Sequence, residues 1–288
     1  GDISAEAVRG GVDAYDALYF VGFLARFASR LRGAERDRIG ELAAPYLPRI
    51  DRQLGHGAPG VRARAVRTLS LLGLRQYSYG IIAALDDPAP LVAMTAARAL
   101  SRREHSEYAP AVLTKLHRFL DWSPAYLAAM LAGIGPGAAP YLRGVLADQS
   151  EPALVRKVAA DALRALNDVD STDIAAEVAR TSPRHDVVAA ALRLIGACGS
   201  ARHAAVARRL ASSDDEIVRA QALGALGTLG DVNDVPALSR ALEDESVWVV
   251  WHATRALFAV AGRAVLEQLA ESGHGRVDIM REVLAEQT

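Results

Sequence analysis

Seven times along this chain of 288 residues a nine-residue pattern returns, apolar at its first position, small at its fifth and apolar at its ninth. The copies are Val61 to Leu69, Val92 to Leu100, Tyr126 to Ile134, Val155 to Leu163, Val187 to Ile195, Val218 to Leu226 and Val249 to Leu257. Their starts lie 31, 34, 29, 32, 31 and 31 residues apart. A fixed period of this length means one supersecondary unit stacked on copies of itself, each covering the apolar face its neighbour cannot bury alone. On a helix the first, fifth and ninth positions fall within about 80°, so they form one buried stripe. The fifth positions are Ala65, Ala96, Met130, Ala159, Ala191, Ala222 and Ala253. A small side chain at the centre of the stripe lets a neighbouring helix come close.

Polar turns precede these segments: Gly55 to Pro59, Asp86-Asp87-Pro88, Asp121 to Pro124, Ser150-Glu151-Pro152, Ser182-Pro183, Ser212 to Glu216 and Glu243 to Ser246. Pro, Asp and Ser here stop one helix and cap the next. Upstream of each turn a second amphipathic stretch, such as Ala204 to Ala211 or Val235 to Leu242, supplies the partner helix. Composition agrees, because 57 alanines against only 6% aromatic residues favour helix over strand. The expected fold is therefore all-α. It is an α-solenoid, a superhelix of about seven to eight helix pairs.

The intact Val-Arg-x-x-Ala-x-x-Ala-Leu cores at Val155-Arg156…Ala159…Ala162-Leu163 and Val218-Arg219…Ala222…Ala225-Leu226 resemble HEAT repeats. The short period is similar to the bacterial subclass named after phycobilisome lyases. The resemblance covers about Asp37 to Leu284. It implies a binding scaffold, and a structural ladder from Arg62, Arg156 and Arg219 to turn acids such as Asp214 and Asp215. Both ends depart from the pattern. Residues 1–34 read as an N-terminal aromatic and arginine helical cap, with a helix over Ala14 to Leu31 that is apolar around much of its circumference. Residues 35–262 read as the array and 263–288 as a C-terminal capping pair with Arg281 in the small-residue position, the whole being one continuous elongated domain.

Lys and Arg number 33 against 34 Asp and Glu, and this near-neutral balance argues against a generic nucleic-acid binder. It hides a polarity, since residues 1–144 carry 18 basic and 13 acidic side chains and residues 145–288 carry 15 and 21. A single cysteine, Cys198, excludes a disulfide framework and reads as a buried inert thiol. No signal peptide is visible, and the apolar run over 17–25 is far shorter than the ~20 residues a bilayer requires. The expected setting is cytoplasmic, with membrane association as an alternative. Because the chain opens on Gly1, an upstream segment, a membrane anchor included, is a further expectation.

Three groups of residues are candidate contact surfaces. If the buried stripe is centred on the fifth position, the third and seventh positions and the residue before the template point away from it. The seventh positions are Arg67, Arg98, Ala132, Asp161, Arg193, Gly224 and Arg255, with Arg102, Arg103 and Arg164 close by. Such a basic ridge on a concave face would receive an acidic or phosphorylated protein segment, unless the arginines pair with acidic turns of neighbouring repeats. Trp248 and Trp251 stand beside Arg255, the composition of an interface hot spot or of a core covered by the C-terminal pair. The N-terminal helix carries Tyr15, Tyr19, Phe20, Phe23 and Phe27, followed by Arg26, Arg30, Arg32, Arg36 and Arg38; it can cap the first repeat, dock a partner helix or lie on a membrane surface.

No catalytic constellation is legible. The histidines His56, His105, His117, His185, His203, His252 and His274 fall in different repeats without metal-ligand spacing, and no phosphate-binding glycine loop occurs, so no cofactor or metal is expected. The expected function is a non-catalytic scaffold that binds a protein. The alternatives are a membrane-associated adaptor, a bilin-lyase-type enzyme, or a HEAT-like DNA glycosylase using Asp161 between Lys157 and Arg164.

Overall fold

The computed structural model describes residues 17–272 and 275–286. Ala14, Tyr15 and His274, and the side chains of Arg103 and His105, lie outside the described residues. All regular structure among the described residues is helical. Contacts gather into two compact units, Gly1–Phe119 and Leu120–Thr288.

In the N-terminal unit α1 (Ala17–Ala28) is followed by α2 (Ala34–Ala43), α3 (Leu47–Asp51), α4 (Pro59–Leu72), α5 (Leu74–Ala83), α6 (Pro90–Leu100) and α7 (Ala109–Thr114). Proline in the first turn of α4 and α6 has no amide hydrogen to leave unsatisfied there. α1 packs on α2 and α4 through Val21, Leu24, Ala25 and Ala28, all buried. It lies against the first repeat with this one face only.

The C-terminal unit runs α8 (Pro124–Ala132), α9 (Ala139–Ala147), α10 (Ala153–Ala165), α11 (Thr172–Thr181), α12 (His185–Cys198), α13 (Ala204–Leu210), α14 (Glu216–Leu229), α15 (Val235–Arg240), α16 (Val247–Ala261), α17 (Arg263–Glu271) and α18 (Val277–Glu286). The even-numbered helices α8 to α16 each pack on the next, and each also rests on the odd-numbered partner of its own repeat where that partner belongs to the unit. The expected final pair is α17 and α18, with Ile279, Met280, Val283 and Leu284 buried and Arg281 exposed.

The repeat template fits six of its seven copies. Ala65, Ala96, Ala159, Ala191, Ala222 and Ala253 are buried, as are the ninth residues Leu69, Leu100, Leu163, Ile195, Leu226 and Leu257. The third copy is displaced: Tyr126 is exposed and Met130 half-buried, whereas Leu127 and Leu131 are fully buried. The register of α8 therefore lies one residue later than the pattern Tyr126 to Ile134 suggests.

A second correction concerns the third positions. Ala63, Met94, Ala128, Ala189 and Ala220 are buried, because second helices within each unit pack side by side and not only through the stripe. The side left to solvent runs through the residue before the template and the fourth, seventh and eleventh positions, which lie within about 60° of one another. Ile217, Gln221, Gly224 and Thr228 trace it on α14, and Trp248, His252, Arg255 and Ala259 on α16.

The ladder of second-position arginines is present in each unit, with different acids from those expected. Arg219 sends Nε and Nη2 to the Asp244 carboxylate at 2.8 and 3.0 Å, and its Nη1 to the carbonyls of Ser213 and Asp214. Arg62 repeats the arrangement with Asp87 and the carbonyls of His56 and Gly57. Asp214 thus contributes a backbone oxygen, and Asp215 instead caps α14 through the Val218 amide. Arg156 has no such acid; it is buried, donates to the Leu146 carbonyl at 3.0 Å, and burial lowers its pKa. Two further rungs join first helices to the next repeat, Arg143 to Asp168 and Arg208 to Asp234.

Candidate binding groove of the C-terminal unit

The solvent side of the second helices is interrupted where the sequence supplies glycine. Along the seventh positions of the C-terminal unit stand Asp161, Arg193, Gly224 and Arg255, so Gly224 leaves a gap between two arginines. Gly196 and Gly227, each three residues past a seventh position, widen it. A Cβ on Gly196 would lie 3.2 Å from the Ala225 Cα, and one on Gly227 3.0 Å from the Ala256 Cα. Glycine is required there because the next helix passes at backbone contact. The result is a groove of about 520 Å³ across α10, α12, α14 and α16, closed at one end by Val283 of α18.

Its floor is small and apolar, formed by Ala197, Ala225, Ala256 and Ala259 with Leu192 and Phe258, and its rim carries Arg164, Arg193, Gln221, Thr228, His252 and Arg255. The arginines are largely neutralised. Arg193 forks onto Asp161 at 3.1 Å, Arg164 stands 3.9 Å from the same carboxylate, and Arg255 donates to Glu286 of α18 at 2.8 Å. Arg193 and Arg255 find their partners on neighbouring helices and Arg164 on its own, none of them in the acidic turns, so three cations face two anions here.

His252 turns an edge toward the Trp248 ring at 4.8 Å, and its Nε2 is buried without a hydrogen-bond partner. Burial, together with the nearby Arg255, pushes its pKa down, so the imidazole is neutral near pH 7. Trp251 is half-buried with the Arg255 guanidinium 5.9 Å from its ring centre, whereas Trp248 is 51% exposed. The exposed large apolar residues of this helix are therefore Val247 and Trp248, and Trp248 shares the solvent side with Ile217.

The remaining candidates belong to the N-terminal unit. Arg67 and Arg98 are exposed, and their guanidinium groups have no partner among the described residues. On α1, Phe20 packs edge-on against Tyr46 at 5.8 Å, while Phe23 and Phe27 are both 46% exposed with ring centres 4.6 Å apart. Arg30, exposed, follows in the turn after the helix. Cys198 is half-buried, and burial pushes its thiol pKa up, away from the reactive thiolate.

Sequence reasoning passed over Gly196, Gly224, Gly227 and His252 as groove residues. The available signal was glycine inside two otherwise well-formed helical patterns, those of α12 and α14, where it costs ~1 kcal/mol against alanine and so marks a close approach.

Residues 176–258 and 204–287 match the family model of HEAT repeats. Those residues carry HEAT repeats. No curated protein matches the chain. Among solved structures, a Kap121p mutant is similar with a TM-score of 0.52 at 13% identity, over 96% of this chain and 36% of that one. The karyopherin Kap121p bound to the extreme C-terminus of the protein phosphatase Cdc14p gives 0.51 at 13% identity, over 93% and 36%. The chain spans about a third of the length of Kap121p, and likeness at this identity establishes the α-solenoid fold alone. The CpcE–CpcF complex of phycocyanin lyase from Nostoc sp. PCC7120 is matched over 100% of this chain and 96% of that one at 18% identity, with a TM-score of 0.32, too loose an overlay to bear on activity. Among the described residues no single helix is long and apolar enough to cross a membrane.

Proposed function

We propose that the chain is a non-catalytic HEAT-repeat scaffold that holds a protein partner, and that the groove over α10 to α16 receives a peptide segment of that partner. The observation that carries this reading is the groove's construction: a glycine and alanine floor reached by backbone contact between helices, with polar groups confined to the rim. A floor mostly of glycine and alanine loses little rotamer entropy when covered. Small or apolar side chains of the segment fit the floor. Acidic flanks suit Arg164 and Arg255, whose side chains remain 45% and 47% exposed. Trp248 and Ile217 extend the apolar contact beyond the rim. Kap121p, which shares the fold, has been seen holding the extreme C-terminus of a phosphatase.

A catalytic reading finds less support. Asp161, the carboxylate a glycosylase reading relies on, is held by Arg193 and Arg164. The test is affinity capture with mass spectrometry, comparing the unaltered chain with Ala197→Trp and Ala259→Trp, two exposed floor positions whose enlargement fills the groove without entering the core. Partners that depend on the groove disappear from both variants. An unchanged set of captured proteins would overturn the reading.

A further inference from the structure

The N-terminal unit contains a second, smaller pocket of about 370 Å³ between α1, α4 and the turn after α3. Its apolar walls are Val21, Ala25, Ile50 and Leu71. Five polar side chains also line it: Arg26, Gln53, Arg64, Arg67 and Thr68. None of these five side chains has a hydrogen-bond or ion-pair partner among the described residues, and no described carboxylate lines the pocket. This sets them apart from Arg62, Arg143, Arg193, Arg208, Arg219 and Arg255, each of which is paired with an acid. Thr68 is only 8% exposed, so its hydroxyl is held at the wall by the fold.

Three guanidinium groups around one concavity repel one another, and they offer only donors. The complement is a compact anion rich in acceptor oxygens. A phosphate monoester carries up to two charges and three terminal oxygens, and arginine forks match it better than any other side chain. The volume exceeds that of the phosphate itself, and the four apolar residues leave a wall for an organic group. We propose that this pocket is a binding site for a phosphate monoester, with the phosphate held by Arg26, Arg64 and Arg67 and the ester group against Val21, Ala25, Ile50 and Leu71. The site belongs to the N-terminal unit and does not depend on the groove of the C-terminal one.

Two sources present this chemistry: a free phosphate ester, and a phosphorylated lipid headgroup. The second is geometrically open because Tyr19, 78% exposed, and Arg26 share one face of α1 with Phe23, and the exposed Arg30 follows in the turn after the helix. The experiment titrates the full chain with inorganic phosphate and glycerol 3-phosphate by calorimetry. In parallel it measures co-sedimentation with phosphatidylcholine vesicles containing phosphatidylinositol 4-phosphate, against vesicles matched in charge with phosphatidylserine. Saturable binding of glycerol 3-phosphate identifies a free ester. Binding confined to the phosphatidylinositol 4-phosphate vesicles identifies the headgroup.

In either case Arg64→Gln and Arg67→Gln, both at exposed positions, should each weaken binding by about tenfold. Arg38→Gln, exposed on α2 and outside the pocket, should leave it unchanged. Thermal melting of each variant separates lost binding from lost fold, and Arg26→Gln is a third probe of the same pocket. The proposal is overturned by absence of binding in both arms, by vesicle binding that is equal on the phosphatidylserine vesicles when glycerol 3-phosphate does not bind, or by affinity that survives the pocket substitutions.

Discussion

Arg219 binds Asp244 through two parallel hydrogen bonds of 2.8 and 3.0 Å, and each side chain is 15% exposed. The pair joins α14 to the turn before α16, and Asp244 also accepts the Ser246 amide, so one carboxylate both shapes its own turn and ties it to the preceding repeat. Removing the acid leaves a largely covered guanidinium with carbonyl partners alone. Asp244→Ala should destabilise the chain by about 2 kcal/mol, between the values for exposed and fully buried pairs. Chemical denaturation of the variant checks this, and Arg219→Met in the same background should cost little more, since the two losses are one interaction.

These rungs fix the response to acid. Hydrogen bonds from Arg62 hold the Asp87 carboxyl below its ordinary pKa, and those from Arg143 and Arg208 do the same for Asp168 and Asp234, in each case against the opposing effect of burial. Burial alone would raise Asp244, but Arg219 and the Ser246 amide outweigh it and the net shift is downward. A carboxyl depressed in the folded state contributes stability that is fully present above its unfolded pKa of about 3.9 and is lost as the pH falls through the folded value. His252, also depressed, adds a smaller loss as the pH falls through its unfolded value of about 6.5. The melting temperature should therefore be level from about pH 7 to 8, decline slightly toward pH 5 and fall steeply below pH 4. His252→Gln should remove only the first of these steps.

Two glycines in helices of the C-terminal unit should respond with opposite sign to the same substitution. A methyl group added at Gly144 of α9 would meet nothing within 4 Å, so Gly144→Ala gains helix propensity and should stabilise by about 0.5–1 kcal/mol. At Gly227 the methyl would stand 3.0 Å from the Ala256 Cα and 3.3 Å from its Cβ, and neither helix can yield without moving the other. Overpacking then exceeds the propensity gain, and Gly227→Ala should destabilise by about 1–2 kcal/mol in the same denaturation assay.

The architecture was legible because the period is carried by residues that do one job. Ala222 and Leu226 are buried wherever the repeat is stacked, and a nine-residue pattern records that directly. It misjudged α8, where Met130 stands in place of the small fifth residue while the neighbouring Leu131 occupies the core. The site was less legible for a different reason. Which face of a helix stays wet depends on how many neighbours flank it, and the partners of a surface charge lie about one repeat away: Asp161 is 32 residues from Arg193, and Glu286 is 31 from Arg255. Pairing of that kind needs the stacking distance between helices, which no single repeat encodes. The pocket lined by Arg26, Arg64 and Arg67 draws on α1 and α4 together, and a pattern read along one helix does not bring Arg26 beside Arg67.

The charge state of the groove can be changed at its edge without disturbing the fold. Arg255 and Glu286 are 47% and 43% exposed, so Glu286→Gln should alter stability by less than about 0.5 kcal/mol. The guanidinium keeps its place near the Trp251 ring but loses its counter-charge, which leaves the rim one unit more positive. A partner segment bearing acidic residues should then bind about two- to fivefold more tightly at low salt, with the gain shrinking as ionic strength rises and the Debye length falls below about 10 Å. Affinity of the captured partner measured across a salt series checks this. A gain independent of salt, or none at all, would show that the segment does not place its acids against Arg255.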